Sequence, residues 1–235
     1  MWIAGIDECP GGWVGVLLRL TESRIVDVRI EWNTSVNAFI YHPFHLQTVA
    51  IDIPIGLLLT PQRGGRECDR RARRLLRRRA SSIFTPPSRT LLHAMTYAEV
   101  RKAGMSRQAF GLMAKIREVD AVMTPALQRR VHEAHPELAF VSLAGAPMRY
   151  NKKTQQGQTE RIAVLQGLGI WPFSELIVVT QRYRPQFSRQ DVGNDDLIDA
   201  WALAWTAFRI QTGHASRLPS RPSWDQNGLR MEIWF

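Results

Sequence analysis

The chain is poor in cysteine, with only Cys9 and Cys68. That excludes a disulfide framework and makes a reducing, cytoplasmic setting the expectation. It lacks any stretch near the ~18 consecutive apolar residues that a spanning helix requires, so no membrane association is expected. The N-terminus, Met1-Trp2-Ile3-Ala4-Gly5-Ile6-Asp7, has no basic segment and meets an acid too early for a signal peptide. Acidic residues are outnumbered, 21 Asp and Glu against 31 Lys and Arg, for a net charge of +10 dominated by arginine. Such an excess favours polyanionic partners, above all nucleic acid, through phosphate neutralisation. The competing explanation is an arginine-rich composition without functional meaning. With 45% hydrophobic residues the chain is not a disordered one, and 235 residues suit one well-filled domain.

The first third reads as strands. Apolar runs at 2–8, 13–20 and 24–32, joined by Cys9-Pro10-Gly11-Gly12 and Thr21-Glu22-Ser23, predict an antiparallel meander. Thr34 to Tyr41 is expected to form a short helix, and 48–55 a strand covered on both faces. Eight arginines lie between Arg66 and Arg79, around a narrow apolar stripe of Cys68, Ala72, Leu75 and Leu76 at helical spacing. Helices are expected near 94–103, 106–116, 119–129 and 158–168, with strands at 131–135 and Leu176–Val179. A helix from Asp195 to about Gln211 follows, capped by Asn194. The tail from Gly213 to Asn227 reads as irregular, with 231–235 docking back as an edge strand. Trp171, Trp201 and Trp205 sit in apolar patterns and are expected in the core.

Acids placed in apolar runs carry the chemical signal. Asp7 ends one run, Asp52 sits inside another, and Asp196 and Asp199 open the last helix about 60° apart on one face. A buried carboxylate costs several kcal/mol, on the order of the penalty for any unpaired charge, unless a partner or cation compensates. A helix start explains Asp195 and goes some way towards Asp196, but it does not explain Asp52. Carboxylates without a Cys or paired-His set suit Mg²⁺ or Mn²⁺ rather than Zn²⁺. Two such ions are expected, activating water and stabilising a leaving oxygen. Glu137 either completes the site or is an ordinary first-turn acid after Pro136. His132 and His135 read as structural histidines rather than a zinc pair, with His135 as a proton-transfer group the intermediate option.

These elements resemble the ribonuclease H-like superfamily. Ile6-Asp7 on a first strand, a hairpin, a central-strand acid and the opening Asp196-Leu197-Ile198-Asp199-Ala200 are similar to RuvC-type junction resolvases. More closely, the chain resembles a domain of unknown function described as a predicted RNase H-like nuclease. The matching blocks are Gly5-Ile6-Asp7 with Gly12-Trp13, Ile51 to Leu57, Arg66-Glu67-Cys68-Asp69 with Ala72-Arg73, and Ser81-Ser82-Ile83-Phe84. They continue through His135-Pro136-Glu137, Lys152-Lys153 and Asp195 to Ala200. The resemblance implies an α/β fold with a mixed sheet, antiparallel strands first and parallel strands after, flanked by helices. The whole chain, 1–235, would form one such domain, with a helical Arg-rich insertion at about 62–130 and an irregular tail at about 213–235. It assigns Asp7, Asp52 and Asp196 or Asp199 to metal binding. One departure is that Asp52 stands where RuvC-type enzymes usually carry glutamate, which leaves room for Glu137 to supply the reach.

Substrate contacts are expected from Arg66, Asp69 and Arg73 on one face of the Arg-rich helix, clamping phosphate. Arg79, Ser81, Ser82 and Arg89 lie on a loop able to bind substrate, and Lys152, Lys153 and Arg161 form a candidate phosphate patch. The expected function is metal-dependent phosphodiester hydrolysis of DNA or RNA. The alternatives are a non-catalytic nucleic-acid-binding module and a hydrolase or transferase for a small phosphorylated metabolite. A phosphotransferase of the actin and sugar-kinase type ranks last, because no second Gly-rich phosphate loop is present.

Overall fold

The structure is a computed structural model describing residues 1–235. Strands β1 (Trp2–Cys9), β2 (Gly12–Thr21) and β3 (Arg24–Asn33) form the expected antiparallel meander. A one-turn helix α1 (Asn37–Ile40) returns the chain to β4 (Thr48–Ile51), which runs parallel to β1 from Ile3 opposite Thr48 to Ile6 opposite Ile51. A long excursion carries α2 (Glu67–Leu76), α3 (Tyr97–Arg101), α4 (Arg107–Gly111) and α5 (Met113–Val122). The chain then re-enters the sheet as β5 (Val131–Glu133), parallel to β4. The strand order is β3-β2-β1-β4-β5, a mixed sheet with β1 at its centre. The remaining helices are α6 (Pro136–Ala144), α7 (Gln155–Gln166), α8 (Leu176–Tyr183) and α9 (Asn194–Gln211). A ribbon of β6 (Arg217–Trp224) and β7 (Arg230–Trp234) ends the chain.

The two-residue period of a strand sorts β1 between two cores. Ile3 joins Val14, Val16, Ala50 and the apolar face of α9, while Ala4 and Ile6 join Leu17, Val49, Ile51 and residues of α5 on the other side. Gly5 shares the α9 face, and a Cβ there would lie 1.9 Å from the Ala204 nitrogen and 2.5 Å from the Ala200 oxygen. Glycine at this position therefore lets α9 lie directly on β1. The same parity turns Asp7 toward α9, whose first turns carry Asp196 and Asp199.

Four expectations need correction. The strand expected over 48–55 stops at Ile51, because Pro54 cannot donate to a ladder. Ile53, Ile55 and Leu57 are buried all the same, which is why the run looked like a strand. Leu176–Val179 is helix rather than strand: Leu176 and Val179 are buried while Ile177 and Val178 are exposed, the i, i+3 signature that a β-branched run conceals. The tail is not irregular but pairs as β6 and β7, and a register irregularity between Leu218 and Ser223 absorbs Pro219 and Pro222. That ribbon packs Met231 and Ile233 against Cys68, Ala72 and Leu76 of α2, and Trp234 bridges to Ala134. Trp171 is 39% exposed rather than in the core. Cys9 and Cys68 are both buried free thiols, and no helix is long and apolar enough to cross a membrane.

Candidate active site

Asp7 and Asp52 stand at the C-terminal ends of two adjacent parallel strands, tied by the Asp52 amide donating to the Ile6 carbonyl at 3.1 Å. Across from them, α9 is capped by Gly193, and the expected cap Asn194 is its first helical residue. Asp196 bends back to accept the Gly193 amide at 2.9 Å. Asp199, one turn on, is 2% exposed. Glu137 enters from the first turn of α6, whose start is set by Pro136. These five carboxylates line a single cleft of about 730 Å³, together with Arg79, Ser81, Ser82, His135, Lys152 and Lys153. Glu8 and Asp195 line it as well. Sequence reasoning had passed over Glu8, although its place beside Asp7 at a strand end was the available signal.

The acids are short of positive charge. Burial, then the neighbouring Asp199, holds the Asp7 carboxyl well above the usual carboxylate range. Burial pushes Asp52 up to about 8 even with Lys152 opposing it. Asp196 rises to about 6, again through burial, and Asp199 is raised for the same reason despite its lysine partner. No protein donor reaches the carboxylates of Asp7 or Asp52. Glu137 pairs with buried Arg161, yet its Oε2 is buried without a hydrogen-bond partner.

The donor set fits a hard divalent cation, being all oxygen, and the partnerless Glu137 Oε2 and unbonded Asp7 and Asp52 are spare ligating capacity. As they stand, however, no three of the His, Cys, Asp and Glu side chains are grouped tightly enough to hold an ion. Holding one needs side-chain rotation. His135 has both ring nitrogens engaged: Nδ1 accepts from the Glu137 amide at 3.2 Å, and Nε2 lies 3.4 Å from the Ser82 carbonyl oxygen. Burial also lowers its pKa. It caps α6 and lines the cleft. His132 lies outside the cleft, against Trp234, so the two histidines do not form a zinc pair.

Five arginines expected to meet substrate have other partners, as does the acid expected to orient them. Arg66 is 2% exposed and gives its guanidinium to Asp69 at 2.7 Å, to Glu133 at 2.5 Å and to the Ile55 and Gly56 carbonyls. Asp69 is the reciprocal half of a capping box with the Arg66 backbone. The pair is thus a buried post under the loop that follows Asp52, not a clamp. Arg73 donates to Ile83 O, Gly64 O and Thr85 Oγ1, pinning the segment after Ser81-Ser82 to α2. Arg161 is 1% exposed and occupied by Glu137, Tyr150 O and Gly157 O. Arg89 pairs with Asp120 at 2.9 Å and with Asp225. Arg79 donates to Met148 O at 3.0 Å but keeps a place on the cleft wall.

Among solved structures the chain is similar to the Thermus thermophilus RuvC structure, at 14% identity and a TM-score of 0.36, over 91% of this chain and 98% of that one. It is also similar to T. thermophilus RuvC in complex with Holliday junction substrate, at 13% identity and a TM-score of 0.35, over 91% and 97%. No curated protein matches it. The model of the family described as "Protein of unknown function (DUF429)" matches residues 5–223, nearly the whole chain and every element that builds the cleft, and the chain belongs to that family.

Proposed function

We propose that the cleft is the active site of a metal-dependent phosphodiester hydrolase acting on nucleic acid. The observation that carries this reading is the convergence of Asp7, Asp52, Glu137, Asp196 and Asp199, from two strands and two helices, on one cleft whose wall also bears cations and hydroxyls. Placing that many acids together is costly for folding, and functional sites are where such costs persist. Asp7, Asp52 and Asp196 would hold Mg²⁺ or Mn²⁺, which when bound polarises a phosphoryl oxygen and makes water nucleophilic near neutral pH. Glu137, fixed by Arg161 through Oε1, keeps Oε2 without a partner, and that oxygen would orient water once the side chain turns to the cleft it lines. Arg79 and Lys153 supply cationic contacts for phosphates on either side of the scissile one, and Ser81 and Ser82 supply hydroxyls. The exposed arginines of α2 and the turn after it, Arg71, Arg74, Arg77 and Arg78, extend the positive surface from Arg79.

The test is hydrolysis of branched DNA, single-stranded DNA, RNA and RNA–DNA hybrid with Mg²⁺ or Mn²⁺, by wild type, Asp7→Asn and Asp52→Asn. Metal-dependent cleavage lost in both variants supports the proposal. Equal binding by all three proteins without cleavage points instead to a binding module.

A further inference from the structure

Lys152, expected to meet phosphate, faces inward. Its Nζ lies 2.6 Å from Asp199 Oδ2, and Asp7 and Asp52 are also within its electrostatic reach. Its backbone is held rigidly. The Arg149 and Tyr150 amides donate to Glu160 at 2.8 and 3.0 Å, and Arg161 Nη1 donates to Tyr150 O at 3.2 Å. Thr154 Oγ1 donates to Asn151 O at 2.8 Å and accepts from the Gly157 amide at the start of α7. A Cβ on Gly157 would lie 1.9 Å from the Asn151 oxygen, so the loop is seated as deeply on α7 as glycine permits. The ammonium is therefore delivered to the acids by a fixed scaffold rather than by a loose surface chain.

An ammonium has three donors and no lone pair, so it competes with a metal ion for carboxylate oxygens and repels it. With Lys152 on Asp199 Oδ2, the other cleft carboxylates without an ion-pair partner are Asp7, Asp52 and Asp196, with Glu8 and Asp195 beside them. Glu137, a residue only 6% exposed, lines the same cleft, and its buried Oε2 has no hydrogen-bond partner. We propose that Lys152 is a resident second cation: it occupies Asp199 where a second divalent ion would bind, so the cleft takes one divalent ion per chain. This departs from the two-ion expectation and rests on the metal-dependent reading above.

Mn²⁺ binding to the metal-free full chain, counted by equilibrium dialysis and electron paramagnetic resonance, tests it. Wild type is expected to bind one Mn²⁺ with an uncoupled six-line spectrum. Lys152→Gln, which removes the charge, is expected to bind a second ion with spin coupling, whereas Lys152→Arg and the exposed-site control Lys102→Gln stay at one. Two ions in wild type, or one in a folded Lys152→Gln, overturn the proposal and leave metal dependence standing. No ion in wild type or in Lys152→Gln removes the metal-dependent reading and this proposal with it. Should Lys152→Gln fail to fold, the wild-type count alone decides between one ion and two.

Discussion

Replacing Arg66 by methionine distinguishes a buried post from a phosphate clamp. Methionine fills most of the stem but leaves Asp69 and Glu133, 1% and 6% exposed, without their shared counter-charge, and two carbonyls without a donor. Removing one partner of a buried pair costs about 3–5 kcal/mol, and with two acids on one cation the upper end applies, about 5 kcal/mol. For a chain of this size that is a fall in Tm of roughly 10–20 °C. Burial already holds the Glu133 carboxyl up at about 7 against the pull of Arg66. Without the arginine, the folded Glu133 carboxyl binds its proton still more tightly than the unfolded chain does, so acidification favours the folded variant. The deficit is therefore largest near pH 8 and shrinks toward pH 5. Urea unfolding followed by tryptophan fluorescence at both pH values measures it. Arg71→Met is the control: its pair with Glu67 is 47% and 40% exposed, and such pairs contribute about 0–1 kcal/mol. A loss for Arg66→Met as small as that control, with a large loss of phosphate affinity, would refute the buried-post assignment.

Gly5→Ala should cost about 1–3 kcal/mol by overpacking, because its Cβ meets the α9 backbone at 1.9 Å. Lifting α9 should also weaken Mn²⁺ binding at least tenfold, and a variant with wild-type Tm and affinity would contradict that contact. Asp52, driven by burial to about 8, binds its proton more tightly folded than unfolded, so metal-free stability is lost as pH rises from about 4 through 8. Metal-free Asp52→Asn should accordingly melt above wild type at pH 9, the gap should close by pH 4, and Mn²⁺ should reverse the ranking. A gap independent of pH would show that Asp52 is not held in its protonated form. His132 is lowered to about 4 by burial against Trp234, below its unfolded value of 6.5. Protons there favour the unfolded chain, so stability should fall by up to about 3 kcal/mol from pH 6.5 to 4. Urea titrations should find that fall largely missing in His132→Phe.

The meander, the mixed sheet and the last helix were legible because local periodicity and burial agree in those segments. Asp7 and Asp52 stood out because an acid within an apolar run has no solvent-facing explanation, and helix spacing put Asp196 and Asp199 on one face. What was hidden depends on partners distant in sequence. Nothing around Arg66 distinguishes it from its seven neighbouring arginines until Glu133 is seen opposite it. Lys152 likewise reads as surface charge in Asn151-Lys152-Lys153, because the clamp that turns it inward comes from Glu160 and Arg161 of the next helix. Gly5 reads as one small residue in a strand until α9 lies across it. Leu176–Val179 and the β6–β7 ribbon were misread because β-branching and proline are weak priors that tertiary packing overrides.

The most direct test of the central claim is a crystal of the protein soaked in Mn²⁺, examined by anomalous scattering. The account predicts a peak in the cleft within coordination distance of carboxylate oxygens from Asp7 and Asp52 or Asp196, and no peak there in an Asp7→Asn crystal. An empty cleft at millimolar Mn²⁺, or an ion bound elsewhere on the chain, would contradict it.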